Sequence, residues 1–388
     1  MAFNVGIIGC GRRATTVWKT TGPWRDDVLL RAVADPDPDY AVDWMKKKDI
    51  FHEDIHFYDS AEEMLEKEDL DAVIVGPRCN LHTKYAAMVI EKGLPLFLEK
   101  PVAISDDDLN VLRKAAAERK APIMVSFPLR AANIAREARA IIESGELGEI
   151  SQIQCINNVA YGRVYYKRWY RDESITGGLW LQKATHDLDA IFYLVEGLPG
   201  FKPVEVCAME SKVIFKGDKP AGLRCSECPE KHTCPESTWV LSHQFGESAP
   251  DEGCSFAVDT GNQDSGSALI RFENGVHASY SQNFIARKEA AVRMIRVIGF
   301  KATLEFDFHD GDLKIIHHQR GEVEVHHFSA GGGHYGGDFN LMDEFYKMLT
   351  EGAEPSAGID AGLFSALACL RARESCEQHR FVEIKYND

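Results

Sequence analysis

Apolar runs and helical stripes alternate between residues 3 and 126. Residues 3–8, 28–34, 71–75, 94–98 and 122–126 are short and apolar, as buried strands are. Residues 13–20, 39–48, 61–67, 81–92 and 106–118 carry apolar positions at helical spacing. Strands alternating with helices of this length mean βαβ units, and right-handed crossovers then give a doubly wound parallel sheet. The pattern changes past residue 148. A helix over 131–144, closed by Gly145, leads into β-rich segments at 150–159, 204–213, 267–272, 277–283, 292–298, 302–307, 313–318 and 323–328. Turns such as Glu273-Asn274-Gly275 and Asp310-Gly311 suit hairpins. Helices over 339–349 and 360–374 and a strand over 381–384 close the chain. The expected architecture is an α/β Rossmann domain over residues 1–126. An α+β domain with an open, mostly antiparallel sheet follows over 127–388. The least regular stretch, 216–261, is rich in Pro, Gly, Ser and Cys; a loop that long is usually functional or stapled.

Charge narrows the function. The 388 residues hold 44 Lys+Arg against 60 Asp+Glu, a net charge of −16. That balance offers no footprint for nucleic acid or an anionic membrane surface. No apolar run reaches the roughly 18–20 residues a bilayer span needs. The short apolar start lacks a basic region before it, so no secretory leader is expected. Ten cysteines are too few for a disulfide scaffold, and the chain reads as cytoplasmic with thiols reduced or metal-bound.

The first strand runs into Gly9-Cys10-Gly11-Arg12-Arg13-Ala14, a GxGxxA. Gly9 permits a tight turn, Gly11 a close approach of pyrophosphate, and Ala14 packing of helix on strand. The helix N-terminus then presents free amides to the anion. Asp35 ends the second strand, 24 residues beyond Gly11, near the roughly 20 expected for a ribose-binding carboxylate. A carboxylate there repels a 2′-phosphate, so NAD is favoured over NADP. Arg12 and Arg13 are the residues that would reach such a phosphate.

Two further groups carry chemistry. The strand at 94–98 ends in Glu99-Lys100-Pro101, at the sheet edge that faces the ligand crevice. Lys100 can there bond a substrate hydroxyl and the nicotinamide ribose, and the bond before Pro101 is a candidate cis peptide. Residues 177–189 read GGLWLQKATHDLD. On a helix, Gln182, Lys183, His186 and Asp189 share one face. His186 can take an alcohol proton as hydride leaves the same carbon, with Asp189 orienting the ring.

These signals, in this order, resemble the glucose-fructose oxidoreductase/inositol dehydrogenase (Gfo/Idh/MocA) family. Also matching are Pro77 and His82 in GPRCNLH, the Glu143-Ser144-Gly145 and Gly148-Glu149-Ile150 turns, Phe272-Glu273-Asn274-Gly275 and Gly336-Gly337-Asp338-Phe339. The resemblance implies a Rossmann domain, an open sheet that pairs subunits as homodimers or homotetramers, and oxidation of a sugar or cyclitol hydroxyl by NAD. It implies Lys100 and His186 as active-site residues, with Pro77, His82 and Glu99 on the cofactor side. Gln182 stands where many members carry Asp; glutamine carries no proton, which turns attention to Lys183. The resemblance sets residues 161–170 beside the substrate, so Tyr161, Arg163, Lys167 and Trp169 become candidate contacts, together with Arg130 and Asp187. Two rivals stand beside this reading: an NAD-dependent glycosidase that oxidises, eliminates and re-reduces, which the altered helix permits, and a non-catalytic NAD-binding regulator, against which the Lys100/His186 pair argues. Hydrolysis of nitrophenyl glycosides without net NADH distinguishes the first.

Cys225-x2-Cys228-x5-Cys234 lies in the irregular stretch, with His232 and Cys254 as candidate fourth ligands. One CxxC is half of a tetrahedral zinc site, and an ion would staple a loop that cannot order itself. A structural zinc, an iron–sulfur cluster and plain thiols or disulfides all remain open on spacing. The His pairs at 317–318 and 326–327 fall on strands, where neighbours face opposite sides, so they read as sheet-surface residues.

Overall fold

A computed structural model describes residues 2–21, 26–246, 252–329, 331 and 333–386. The first sheet has strands β1 (Phe3–Ile8), β2 (Val28–Ala34), β3 (His56–Tyr58), β4 (Ala72–Val75), β5 (Leu96–Leu98) and β6 (Ile123–Val125). Their order is β3-β2-β1-β4-β5-β6, all parallel. This is the classic dinucleotide-binding order, with its crevice where β1 and β4 diverge. β4 to β6 are buried throughout because helices cover both faces. One helix, Pro38–Lys48, shows local sequence logic: Asp37 caps it, proline opens it, and three lysines end it. β3 is a strand that the apolar pattern did not reveal, being three residues long with none of them buried.

The second sheet has nine strands: β7 (Ile150–Asn158), β8 (Pro203–Ser211), β9 (Ser265–Phe272), β10 (His277–Asn283), β11 (Val292–Gly299), β12 (Ala302–Asp307), β13 (Asp312–His317), β14 (Val323–His327) and β15 (Val382–Glu383). Their order is β14-β13-β12-β11-β7-β10-β9-β8-β15. All pairs are antiparallel except β7 with β10. Alternation along β9 and β11 buries one face. Helices Thr185–Val195 and Ile359–Gln378 pack there, in the same apolar core as the inner strand residues. The opposite face is open. Register brings Met209 beside Ser267 and Leu269 beside Cys207 on it, and Val325 beyond Lys314 at the far end. Among the described residues, no helix is long and apolar enough to cross a membrane.

The two sheets share structure. Helix Gly337–Thr350 belongs to the second half of the chain, yet Leu341, Met342, Phe345 and Met348 complete the core around Ile7, Val33 and Phe97. Phe345 meets Phe97 edge to face at 5.5 Å.

Candidate active site

The crevice begins at Gly9, whose φ is +85°; a Cβ there would lie 2.5 Å from Pro77 Cα. Glycine is therefore required by both conformation and space. Pro77 acts here as a wall of the turn. Helix Arg12–Lys19 starts at Gly11 with no side-chain cap, leaving its first amides directed at the crevice. Asp35 ends β2, and its carboxylate accepts from the Cys10 N–H at 2.8 Å and, through its other oxygen, from the Asp37 N–H at 3.1 Å. Those bonds fix the carboxylate at the rim while leaving acceptor capacity for a ribose. Open amides, a cradle that a Cβ would fill, and a fixed carboxylate fit a dinucleotide.

Arg12 is exposed, but Arg13 is not available to a phosphate. Its Nε pairs with Glu99 Oε1 at 2.9 Å and its Nη2 with Asp338 Oδ1 at 2.8 Å. Nη2 also donates to Ser126 Oγ at 3.2 Å. Arg13 thus ties the ends of β5 and β6 to the helix that starts at Gly337, which corrects its expected role.

Lys100 follows β5 and is joined to Pro101 by a cis peptide bond. Its Nζ donates to the Gln182 carbonyl at 2.6 Å. Burial, with the nearby Lys183 charge, pushes its ammonium down to about 8, against the opposite pull of Cys79. His82 is behind the same turn, bonded to the Pro101 carbonyl at 2.7 Å. It is buried and pushed down to about 4 by burial, so it braces the lysine turn as a neutral ring.

Residues Trp180–Ala184 form a π-helical turn before helix Thr185–Val195. The wider turn breaks the regular i,i+4 face expected across residues 182–189, and such turns favour functional sites. Gln182 holds Lys100 through its backbone, and its side-chain Oε1 accepts from the Cys79 thiol at 3.4 Å. Lys183 is buried and donates to the Tyr161 hydroxyl. Tyr161 has its ring half exposed but its hydroxyl turned inward. Burial works to raise that phenol, but Lys183 and Arg293 win and hold it below its usual value.

His186 is buried, and its Nδ1 has no hydrogen-bond partner. Burial first, then the charges of Lys100, Arg293 and Lys183, keep the ring neutral well below its ordinary value. Asp189 does not orient it. That carboxylate is clamped by Arg130 at 2.7 and 2.9 Å, and Arg130 also pairs with Glu196 at 3.1 Å. Arg130 is therefore core scaffolding, and its expected place in the cleft is corrected. Asp187 is equally engaged, by Arg293 at 2.7 Å, Asn157 at 2.7 Å and Tyr280 at 2.9 Å. It holds the helix to the second sheet and has no spare capacity for substrate.

Of the other expected substrate contacts, two point elsewhere. Arg163 pairs with Glu236 at 3.0 Å. Lys167 donates to the Glu236 carbonyl and lies 3.8 Å from Cys225 Sγ. Both partners come from the long loop after β8, too distant in sequence for spacing to reveal. Trp169 does reach the crevice: it stacks on Tyr170, and Arg78, one residue beyond Pro77, lies 3.9 Å over its ring. Cys225, Cys228 and Cys234 lie outside the crevice and are reduced.

Sequence reading missed His334. Its ring is 5.8 Å from that of His186, and its Nδ1 bonds Asp338 at 3.0 Å. His334 and Tyr335 both take positive φ, 47° and 59°, which is uncommon for residues other than glycine. The signal was a lone histidine in the glycine-rich run before Asp338.

The cradle, the lysine turn and the histidine helix decide what the fold belongs to. Residues 3–127 match the family profile described as "Oxidoreductase family, NAD-binding Rossmann fold", and residues 135–305 match "GFO/IDH/MocA C-terminal domain". The chain belongs to the GFO/IDH/MocA oxidoreductase family. It is 24% identical over 405 residues to YteT of Bacillus subtilis (strain 168), across 94% of this chain and 91% of that protein. It is 26% identical to inositol 2-dehydrogenase of Burkholderia lata, over 50% of this chain and 55% of that protein. The solved structure of levoglucosan dehydrogenase in complex with NADH and L-sorbose has the same fold, with a TM-score of 0.80 at 18% identity and full coverage of both chains.

Proposed function

We propose that the protein is an NAD-dependent dehydrogenase acting on a hydroxyl of a sugar, sugar derivative or cyclitol. One observation carries this reading. Lys100 and a neutral, partly unpartnered His186 are enclosed together beside the dinucleotide cradle. Relatives named inositol 2-dehydrogenase and levoglucosan dehydrogenase support the substrate class.

Gly9, Gly11, the amides that follow and Asp35 would hold the cofactor, which supplies a hydride acceptor. The Lys100 ammonium donates to the reacting oxygen and polarises it. As the C–H bond gives up its electron pair, the hydroxyl proton passes to His186 and the carbon is left as a carbonyl. Lys183 and Tyr161 offer a donor pair for a further hydroxyl. We also propose that a second copy of the chain covers the open sheet face, where Met209 and Leu269 are exposed.

The test is a panel of sugars and cyclitols with NAD, run on the native protein and on Lys100→Ala. NADH should form with at least one member, and this should be lost in the variant while NAD still binds. Tight NAD binding with no NADH from any member would overturn the reading.

A further inference from the structure

Between β8 and β9 the chain makes a long excursion, residues 212–264, whose one helix of eight residues among those described is Thr238–Phe245. Four cysteines meet there. Cys225 and Cys228 close a tight turn, with the Cys228 N–H donating to the Cys225 carbonyl at 3.3 Å. Cys234 follows after one more turn. Cys254 returns alongside them: its N–H donates to the Leu223 carbonyl at 2.7 Å, and the Cys225 N–H donates to the Glu252 carbonyl at 3.3 Å. Arg224 and Gly253 form an antiparallel bridge between the same two segments. All four thiols are reduced, and three are buried. The buried Lys167 Nζ lies 3.8 Å from Cys225 Sγ.

We propose that Cys225, Cys228, Cys234 and Cys254 form a tetrahedral thiolate site for a structural zinc ion. Binding exchanges protons for metal: four thiols and one Zn²⁺ give a dianionic Zn(S)₄ centre and release four protons. Lys167 offsets part of that negative charge. A zinc–sulfur distance of about 2.3 Å sets neighbouring sulfurs roughly 3.8 Å apart. Among the described residues, the one group of three ligand atoms within 4.8 Å of one another is Glu146, His317 and Glu324, so the four sulfurs are not gathered to that degree. The backbone already juxtaposes the segments that carry them. The Glu146 group is no rival, because His317 already pairs with Glu324 at 2.6 Å and Arg320 abuts its ring at 3.2 Å.

The ion would act at a distance on the crevice. The loop it staples holds the aromatic segment by three ties: Lys167 to Glu236, Arg168 to Glu252, and Arg171 to Asp259 at 2.5 Å. That segment carries Trp169 and Tyr170 onto Arg78. The site stands apart from the hydride chemistry and does not depend on it.

The test is metal analysis of the full-length native protein purified without chelator, followed by cobalt substitution. One zinc per chain is expected, and cobalt should give sulfur-to-metal charge transfer with tetrahedral d–d bands. Cys228→Ser and Cys254→Ser should lose the metal while NAD binding persists, and Lys167→Met should weaken it roughly 10–100-fold. Native protein also serves without a variant: chelation should expose all four thiols to alkylation. Zinc content near zero, an iron–sulfur chromophore, or cobalt bands unchanged by Cys228→Ser and Cys254→Ser would overturn the proposal.

Discussion

Helix Thr185–Val195 and its approach present buried charge in two contrasting ways. On one side Asp187 and Asp189 meet Arg293 and Arg130, and hydrogen bonds take up the carboxylate oxygens. On the other, Lys100 donates to the Gln182 carbonyl and Lys183 to the Tyr161 hydroxyl, and one nitrogen of the neutral His186 ring bonds to nothing. The first side is saturated and can only hold the fold. The second is short of acceptors, which is the condition a substrate rich in hydroxyls would relieve. Titratable residues within a few positions of each other thus divide into scaffold and chemistry by what is left unmet.

The largest effect should separate the two sides. Lys100→Ala should lower turnover by roughly 10²–10⁴-fold with little change in melting temperature, measured by steady-state kinetics and calorimetry. Asp189→Ala should do the reverse. Stranding Arg130 inside the core should cost about 3–5 kcal/mol of unfolding free energy, seen in denaturant titration. The pair Arg130→Met with Asp189→Leu should recover most of it, because no buried charge is then left alone. If Asp189→Ala left stability intact, the scaffold side of the comparison would fail.

The pH profile sharpens the reactive side. His186 is pushed below its ordinary value, so it stays an unprotonated base through the range where a free histidine titrates. The acid limb of kcat/KM for alcohol oxidation should therefore lie well below pH 6.5. Lys100, lowered to about 8, loses its proton above that, so oxidation should decline on the alkaline side near pH 8. An acid limb at the free histidine value would remove His186 as the base. The smallest effect concerns the rim. Asp35→Ser should raise KM for NAD by roughly 10–100-fold, from the loss of about 1.5–3 kcal/mol of charged hydrogen bonding, and narrow the preference over NADP.

Much of this was legible before the structure. The strands of the first sheet other than β3, and those of the second, follow from apolar period alone, because burial on one or two faces writes itself into local sequence. The places of Gly9, Asp35, Lys100 and His186 at the crevice were legible because they depend on position along a strand or helix. What was not legible was partnership across the chain. Arg130 and Lys167 look like cleft cations in sequence, and only Asp189, 59 residues on, and Cys225, 58 residues on, reveal otherwise. His334 was hidden in a glycine run that no period describes. The π-helical turn was hidden too, since one inserted residue leaves the apolar stripe readable while rotating what precedes it.

The helix Gly337–Thr350 has a consequence for how the molecule comes into being. During synthesis the first sheet is complete once β6 has emerged, yet Phe97 and its neighbours lack their final cover until this helix has been made. The nascent cofactor-binding half must carry an unfinished apolar face, and an Arg13 that has Glu99 but not yet Asp338, through the production of β7 to β14. The nucleotide crevice is thus among the first parts of the protein to be encoded and among the last to be sealed.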